Sequence, residues 1–365
     1  MRSAGGLPEG RSRRKILRGG PEQARRFARN IESSKDHGAY VDPALGKQTI
    51  ADYARRWLAS VQGSLKPKTT VSYQSLIDSR VVPALGRRHL ATLKPSDVQA
   101  WVSSMQGEGL SASRIRQAHV TLKQILDAAV RDGAVGRNAA LGVKLPRLEQ
   151  REAAYFAPEV VESIAAAHPK PYDLLVRVLG TLGLRFGEAA GLQRRHIDLM
   201  RRRIRIEQSL AEVRGGLVIG STKTHSTRGV PLSPALTDAM QAHLRLVGTE
   251  PDAIVFTSPE GSWLRYHNFH RRIWHPVLDR LGLPAVGLHV LRHSAAARMI
   301  SAGASAKAVQ NILGHRSVAF MLTVYAHLFD DDLDDLAARL DTENPRRACR
   351  KRVVQRFMRQ FRSGP

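Results

Sequence analysis

Residues 289–299 read HVLRHSAAARM, a stretch with the apolar spacing of a helix that carries one arginine between two histidines. His289, Arg292 and His293 stand at positions i, i+3 and i+4, which a helix places on one face. Burial of the Arg292 guanidinium without a partner would cost on the order of several kcal/mol, because its charge does not titrate away. We therefore expect an anionic group to face this helix, and the composition indicates where that group comes from.

The composition favours a polyanionic partner outside the protein. Lys and Arg number 57 against 32 Asp and Glu, a formal net charge of +25, and the segments 1–47 and 341–365 each carry a net charge of +6. Such an excess is typical of proteins that bind nucleic acid, with an anionic membrane surface as the second alternative. No apolar run approaches the ~18 residues of a transmembrane helix, and the arginine-rich start lacks the apolar core of a signal peptide.

Residues 49–147 have the pattern of a helical domain, which follows a basic N-terminal segment, 1–48. Four helices are predicted to start after Thr49, at Pro67, at Pro95 or Ser96, and after Ser111. The last of them is long and stops at Gly133. Five basic residues of this block are candidates for a DNA-facing surface, with a solvated helix face as the alternative for each: Lys66, Lys68, Arg114, Arg116 and Lys123.

Residues 155–340 have the mixed pattern of an α+β domain, which is followed by a basic tail, 341–365. Helices are predicted at 158–168, 171–183, 234–247, 267–281, 289–302, 305–313, 317–326 and 331–340. Three short strands, joined by turns that contain glycine, are predicted within 196–210, 215–224 and 228–232. The chain is therefore predicted to be mainly α with a small antiparallel sheet.

Two further segments place a lone basic residue where an anion could bind. TLGLRFGEAAGL (181–192) puts Arg185 at the start of a short helix, whose free N–H groups would assist an anion site. Glu188, three residues on, would hold Arg185 in a fixed rotamer, although a plain ion pair is the simpler interpretation. In GSTKTHSTRGVPL (220–232), Lys223 lies in a polar turn between two strands, where most lysines are only exposed to solvent.

The histidines do not form a recognisable metal site. His289 and His293 have ligand spacing, but no Glu stands where an HExxH motif needs one, and Arg292 between them would repel a cation. We expect no metal and no cofactor. His315 follows a glycine in LGH, and Tyr325 follows ten residues later in an apolar helix, where a tyrosine is usually part of the core.

The order of these residues resembles the catalytic domain of the tyrosine recombinases, also called the phage integrase family. The matching residues are Arg185, Lys223, His289, Arg292, His315 and Tyr325. The helical block upstream is similar to the family's SAM-like core-binding domain, so the resemblance covers about residues 49–340. Ser294 stands where many members have Thr, a difference that does not affect the chemistry.

The N-terminal segment has a weaker resemblance. PEQARRFARNIESSKDHGAYVDP (21–43) is similar to the last helix and the linker of the arm-binding domain of many integrases, but the three-stranded sheet that precedes them there has no counterpart. Either that domain is degenerate, or the start lies inside a longer reading frame. An N-terminal extension nevertheless favours an integrase over a chromosome-dimer resolvase.

The resemblance implies site-specific DNA integration or excision through a covalent 3′-phosphotyrosyl intermediate, without ATP or metal. Tyr325 would be the nucleophile, Arg185 and Arg292 would bind the phosphate, and Lys223 would protonate the leaving oxygen. His289 would help to accept the tyrosine proton and His315 would donate a hydrogen bond to the phosphate. Glu188 would brace Arg185, whereas His293 would only hold its helix.

The resemblance also implies partners and a location. Four protomers would assemble on two double-stranded DNA sites, each closing round the duplex as a clamp. A directionality factor is a candidate further partner, and the expected location is the bacterial cytoplasm, at the nucleoid when bound to DNA. The single cysteine, Cys349, is consistent with a reducing compartment. The segments 330–340 and 344–361 are candidates for a helix that contacts a neighbouring protomer or DNA. Two other functions stay open, a catalytically inactive DNA-binding protein and a type IB topoisomerase.

Overall fold

The computed structural model describes residues 42–148, 154–213, 215–222 and 227–314, together with Ser317 and Tyr325. The chain divides into two compact units, Met1–Glu149 and Gln150–Pro365. Residues 1–41 of the N-terminal segment, the C-terminal tail and the helix predicted at 331–340 lie outside the described residues, as does the helix predicted at 317–326 apart from Ser317 and Tyr325. Within the described ranges, no helix is long and apolar enough to cross a membrane.

The first unit is built from helices. These are α1 (Pro43–Gly46), α2 (Ile50–Val61), α3 (Pro67–Leu76), α4 (Val82–Leu85), α5 (Pro95–Gly107) and α6 (Ala112–Arg131), with 3₁₀ turns at Gln62–Ser64 and Leu90–Thr92. Thr49 Oγ1 accepts a hydrogen bond from the Asp52 amide (3.1 Å), and Ser111 Oγ accepts one from the Arg114 amide (3.3 Å). The helix starts predicted after Thr49 and Ser111 are therefore confirmed, and each of these side chains satisfies an amide that has no partner inside its helix.

The core of the first unit is made by the apolar faces of α2, α5 and α6. Tyr53, Trp57 and Trp101 are among its buried aromatic side chains. The Tyr53 hydroxyl donates to Asp132 Oδ2 (2.6 Å), and the Trp101 indole donates to the Arg80 carbonyl (3.2 Å). These bonds satisfy the polar ends of large side chains that are otherwise buried for their apolar area.

The second unit combines helices with five short strands in its described part. The helices are α7 (Pro158–Ala166), α8 (Tyr172–Leu182), α9 (Phe186–Ala190), α10 (Pro234–Leu244), α11 (Tyr266–Phe269), α12 (His275–Arg280), α13 (His289–Ser301) and α14 (Ala306–Leu313), with a 3₁₀ turn at Arg194–His196. The strands are β1 (Ile197–Asp198), β2 (Arg203–Ile206), β3 (Gln208–Val213), β4 (Gly216–Ser221) and β5 (Arg228–Pro231). All pairings are antiparallel, in a sheet of order β1-β2-β5 and a β3-β4 hairpin.

The prediction of three strands was wrong, because the first predicted strand, 196–210, is divided. It folds back at residues 199–202, where the Arg202 amide bonds the Leu199 carbonyl (3.3 Å) and Arg202 has a φ of 50°. This backbone region is usually left to glycine or asparagine. The last part of the segment becomes β3, which leaves the first sheet and pairs with β4. A turn without glycine or proline gives no compositional signal.

Two helices that the sequence predicts as continuous contain π turns. α3 continues through Ile77–Val81 into α4, whose second residue is Pro83. In the same way, α11 continues through His270–Trp274 into α12, whose second residue is Pro276. Proline has no N–H, and its ring clashes with the carbonyl one turn earlier. The wider turn before each proline accommodates it without ending the helical run.

Helix α8 is the centre of the second core and packs against α7 and α13. Its last turns contain two glycines that allow close packing. A Cβ at Gly180 would come within 2.5 Å of the Val161 side chain. Gly183 has a φ of 66° and ends the helix, and a Cβ there would collide with Leu313. α8 therefore ends directly against α13, which carries Arg292, and against the last residue of α14.

Candidate active site

Arg292, the arginine of the opening stretch, is buried in α13 with 1% of its surface exposed. Its Nη1 donates to the Gly183 carbonyl and its Nη2 to the Leu313 carbonyl, both at 2.7 Å. The groups that these two nitrogens meet inside the protein are therefore backbone carbonyls. Burial, and after it the charge of Arg185, lower the pKa of Arg292 to about 9. The guanidinium thus keeps its charge at neutral pH, which leaves it suited to an external anion.

Arg185 is the N-cap residue of the short helix α9, and Glu188 folds back onto it. Glu188 Oε2 accepts from the Arg185 amide (2.9 Å), and Oε1 accepts from Arg185 Nη1 (2.8 Å). The ion pair that the sequence predicts between these residues is therefore present. The Arg185 side chain is 25% exposed, whereas that of Glu188 is 1% exposed. The carboxylate is hidden, and the guanidinium that it holds is partly open to solvent.

A second arginine, Arg228 at the start of β5, also pairs with Glu188. Its Nη2 donates to Glu188 Oε2 (2.6 Å) and its Nη1 to Oε1 (3.1 Å). Burial alone would raise the pKa of Glu188, but the guanidinium groups of Arg228 and Arg185 hold that pKa below its usual range. A buried carboxylate thus stays ionised between two arginines.

Three arginines meet the carboxyl end of helix α14. The last carbonyls of a helix have no partner within it and carry the negative end of its dipole, so cations are favoured there. Each of three successive carbonyls accepts a bond from a different arginine. The pairs are Ile312 with Arg228 Nε (2.8 Å), Leu313 with Arg292 Nη2 (2.7 Å) and Gly314 with Arg185 Nη2 (3.4 Å).

Tyr325 is buried beside this cluster, with 2% of its surface exposed. It packs with Ile300, Val309 and Leu313 from α13 and α14. Its hydroxyl lies 2.6 Å from Nδ1 of His293, within hydrogen-bond distance. Burial raises the pKa of Tyr325 to about 12 despite the opposing effect of nearby Arg292.

The two histidines of α13 lie side by side. Their rings are perpendicular, with centroids 4.9 Å apart. Burial, followed by the charge of Arg292, lowers the pKa of His293. His293 is therefore a neutral ring at pH 7, next to a tyrosine hydroxyl that keeps its proton.

The structure brings together five of the residues singled out in the sequence: Arg185, Glu188, His289, Arg292 and Tyr325. Two others lie outside the described residues. Lys223 belongs to the connection between β4 and β5, and His315 directly follows Gly314.

Sequence reasoning missed two contacts of this cluster. Arg228 was not singled out, because its carboxylate partner lies 40 residues earlier in the chain and nothing local distinguishes it from other basic residues. His293 was assigned to holding its helix, whereas the structure places its ring against Tyr325. The spacing 289–293 was the available signal, since it puts both histidines on one helix face.

The candidate DNA-binding residues lie on α6 and at the start of α3. Lys123 forms an ion pair with Asp127 (2.8 Å), and Arg116 Nε donates to the Pro146 carbonyl (2.9 Å). Lys68 is exposed, whereas Lys66 and Arg114 are half-buried. The five therefore differ in how freely they could meet a phosphate.

Comparison with known proteins gives one consistent family. The model of the phage integrase family matches residues 154–332, and that of the phage integrase N-terminal SAM-like domain matches residues 49–106. The integrase of Mycobacterium phage L5 is 27% identical over 273 residues, which cover 73% of this chain and 72% of that protein. The tyrosine recombinase XerC of Alcanivorax borkumensis is 29% identical over 300 residues, covering 79% and 91%.

A solved structure shares the fold. The Tn1549 transposon integrase in complex with a circular intermediate DNA aligns with a TM-score of 0.71 and 22% identity, covering 80% of this chain and all of that one. The two family models together span more than half of the chain, and they fall on the helical unit and on the unit that contains the arginine cluster. The chain therefore belongs to the phage integrase family and is a tyrosine recombinase.

Proposed function

We propose that the protein carries out site-specific integration or excision of duplex DNA, with Tyr325 as the nucleophile. The observation that supports this most directly is the meeting of Arg185, Arg292 and Tyr325 at the end of α14. Two guanidinium groups and one hydroxyl, with no carboxylate other than Glu188 bonded to them among the described residues, suit a reaction at a phosphodiester. The DNA in the Tn1549 integrase structure is consistent with duplex DNA as the partner.

The reaction proceeds by two transesterifications. Tyr325 Oη attacks the phosphorus, the new O–P bond forms as the bond to the 5′-oxygen breaks, and that oxygen leaves as a hydroxyl after it gains a proton. The product is a 3′-phosphotyrosyl link, which retains the energy of the diester, so that no nucleotide triphosphate is needed. The 5′-hydroxyl of a partner strand then attacks this link and releases Tyr325.

Arg185 and Arg292 stabilise the charge that grows on the non-bridging oxygens during each attack. Planar guanidinium groups donate two parallel hydrogen bonds to a phosphate, which an ammonium does not. The bonds from Arg292 to the two carbonyls engage two of its five N–H groups. Because those bonds fix the side chain in advance, little reorganisation is needed in the transition state.

The proton transfers are assigned to residues around this pair. We propose that Lys223 protonates the leaving oxygen, that His289 helps to accept the tyrosine proton, and that His315 donates a hydrogen bond to the phosphate. Thr222 and Gly314 are each the last described residue before a segment that the structure does not describe. Lys223 and His315 directly follow them in the chain. Both proposals rest on their order in the sequence.

Substrate entry requires a rearrangement. Arg292 and Tyr325 are both almost completely buried, so neither can touch a DNA phosphate in the described arrangement. We propose that DNA binding displaces the Tyr325 side chain from its apolar contacts with Ile300 and Val309. Cleavage is then coupled to binding, which protects DNA from a free nucleophile.

Covalent trapping tests the proposal. A duplex that binds the Tyr325→Phe variant is selected from a random library and nicked next to the mapped site, so that cleavage releases a short fragment and cannot be reversed. Wild-type protein should form a species that survives denaturing electrophoresis, with EDTA present, and Tyr325→Phe should bind the duplex but form none. Trapping by Tyr325→Phe would exclude Tyr325 as the nucleophile.

The same substrate separates the other functions. A catalytically inactive DNA-binding protein would bind the selected duplex but never become attached. A type IB topoisomerase would relax supercoiled plasmids that lack the selected site. Site-specific recombination instead requires two copies of that site and yields joined products.

A further inference from the structure

We propose that Arg228 is a positioning residue for DNA cleavage, which acts through Glu188 and keeps Arg185 available to the phosphate. This inference rests on the function proposed above. It starts from the geometry of Arg228, whose side chain is 8% exposed and whose three guanidinium nitrogens are all bonded to groups of the protein.

Arg228 joins three parts of the site. Its Nη1 and Nη2 both bond the Glu188 carboxylate in α9, while its Nε donates to the Ile312 carbonyl at the end of α14. It is itself carried by β5. One planar group thus ties a strand to two helices, and the fork geometry needed for this is specific to arginine.

The charge of Arg228 affects Arg185 through the shared carboxylate. Glu188 Oε1 lies between Arg185 Nη1 (2.8 Å) and Arg228 Nη1 (3.1 Å). With Arg228 present, the cluster of Arg185, Arg228 and Arg292 carries three positive charges against one negative charge. Without it, Glu188 would neutralise Arg185 alone and draw its guanidinium inward, away from an incoming phosphate.

Gly314 leaves room for the guanidinium of Arg228. A Cβ at this position would come 3.0 Å from Nη1 of Arg228 and 3.2 Å from its central carbon, and the residue has a φ of 67°. Glycine therefore permits both the turn and the approach of the guanidinium. The end of α14 is therefore closely packed against the Arg228 guanidinium.

The test measures the single-turnover rate of covalent trapping at saturating concentrations of the selected nicked duplex, alongside the affinity for that duplex. We expect Arg228→Gln to slow trapping by about 100-fold, as a small displacement of aligned groups does, with less than about a threefold change in affinity. Arg228→Lys should restore part of the rate, because it keeps the charge but not the fork. Arg177→Gln, which removes an arginine paired with Glu162 and Asp173 in the same unit, is the matched control and should trap at the wild-type rate.

A double variant separates positioning from a general loss of stability. If Arg228 acts through Glu188, the variant that combines Arg228→Gln with Glu188→Gln should be no slower than Glu188→Gln alone, since contacting residues are not additive. Rates that multiply would overturn the proposal, as would a wild-type rate in Arg228→Gln. If the Arg228 variants fail to fold, Gly314→Ala provides a second route, because its Cβ would displace the Arg228 guanidinium without removing the charge of Arg228 or Glu188. A wild-type trapping rate in this variant would overturn the proposal.

Different results would contradict the proposed function and the positioning role of Arg228. If wild-type protein traps no DNA, the proposed function itself is wrong. If wild-type and Arg177→Gln trap DNA while Arg228→Gln does so equally fast, only the positioning role is lost.

Discussion

The hydroxyl of Tyr325 lies 2.6 Å from Nδ1 of His293, the residue that follows Arg292 in the chain. The phenol keeps its proton at neutral pH, since its pKa is raised to about 12, and it can donate to the neutral imidazole. This bond and the surrounding apolar contacts hold the hydroxyl that we propose as the nucleophile inside the protein. We therefore expect His293 to influence when the Tyr325 hydroxyl becomes accessible.

Removal of the His293 acceptor should expose Tyr325. In His293→Phe the hydroxyl would be buried without a partner, at a cost of about 1–3 kcal/mol. Nitration of Tyr325 by tetranitromethane in the DNA-free protein should therefore speed up roughly 5- to 150-fold. Peptide mass spectrometry measures the modification. Tyr172, whose buried hydroxyl donates to the Thr257 carbonyl, is the internal control and should not change.

An unchanged nitration rate at Tyr325 would show that the bond to His293 does not hold the phenol. Trapping on saturating DNA gives a second readout for the same variant. A drop of more than about 100-fold in trapping, on the scale of general-base loss, would instead assign His293 to the proton transfer itself.

Arg292 should serve the tyrosine of its own chain, because the two residues pack in one unit. A mixture of Arg292→Lys and Tyr325→Phe should therefore form no covalent product on the selected duplex, like each variant alone. An ammonium reaches neither two carbonyls nor two phosphate oxygens in a planar arrangement. Product from the mixture would show that one protomer supplies its tyrosine to another, and near-normal trapping by Arg292→Lys alone would contradict its phosphate role.

Glu188 should stabilise the fold in a manner that depends on pH. Its folded-state pKa is lowered, so its contribution is fully present above the ordinary pKa of a glutamate and is lost as the pH falls through the folded-state value. At pH 7, Glu188→Gln should lower the free energy of unfolding by about 3–5 kcal/mol, as expected when a buried pair loses one charge. Urea unfolding measures this loss at pH 7 and pH 4. The difference in the free energy of unfolding between the wild-type protein and Glu188→Gln should be smaller at pH 4.

Glu162→Gln is the matched control for that experiment. Glu162 also pairs with an arginine, Arg177, but its side chain is 59% exposed. Its replacement should cost no more than about 1 kcal/mol. Equal losses at positions 162 and 188 would contradict the importance assigned to the buried network.

The basic residues of the first unit should differ in their contribution to DNA affinity. Lys68→Ala should weaken binding to a non-specific duplex and reduce the slope of log affinity against log salt by about 1, the value for one phosphate contact. Lys123→Ala should have a smaller effect, because its ammonium already pairs with Asp127 at 2.8 Å. Fluorescence anisotropy across a KCl series measures both, and a larger effect at Lys123 would reverse this assignment.

Local signals in the sequence predicted much of the helical structure. Thr49 and Ser111 mark helix starts, because a side-chain oxygen at such a position satisfies amides two or three residues ahead. The helix face that carries His289, Arg292 and His293 followed from a period of 3.6 residues. Such features depend on neighbours within one turn, so they can be read without knowing the fold.

The sequence by itself determined most of the helices and the positions of Arg185, Arg292 and Tyr325 along the chain. It also determined the excess of positive charge, which favours a polyanionic partner. Only the tertiary structure decided which groups meet. It divided the predicted first strand at Arg202, gave Arg228 a carboxylate 40 residues away, and set three arginines against the carbonyls of Ile312, Leu313 and Gly314. These contacts join segments far apart in the chain, where packing rather than local preference determines the partner.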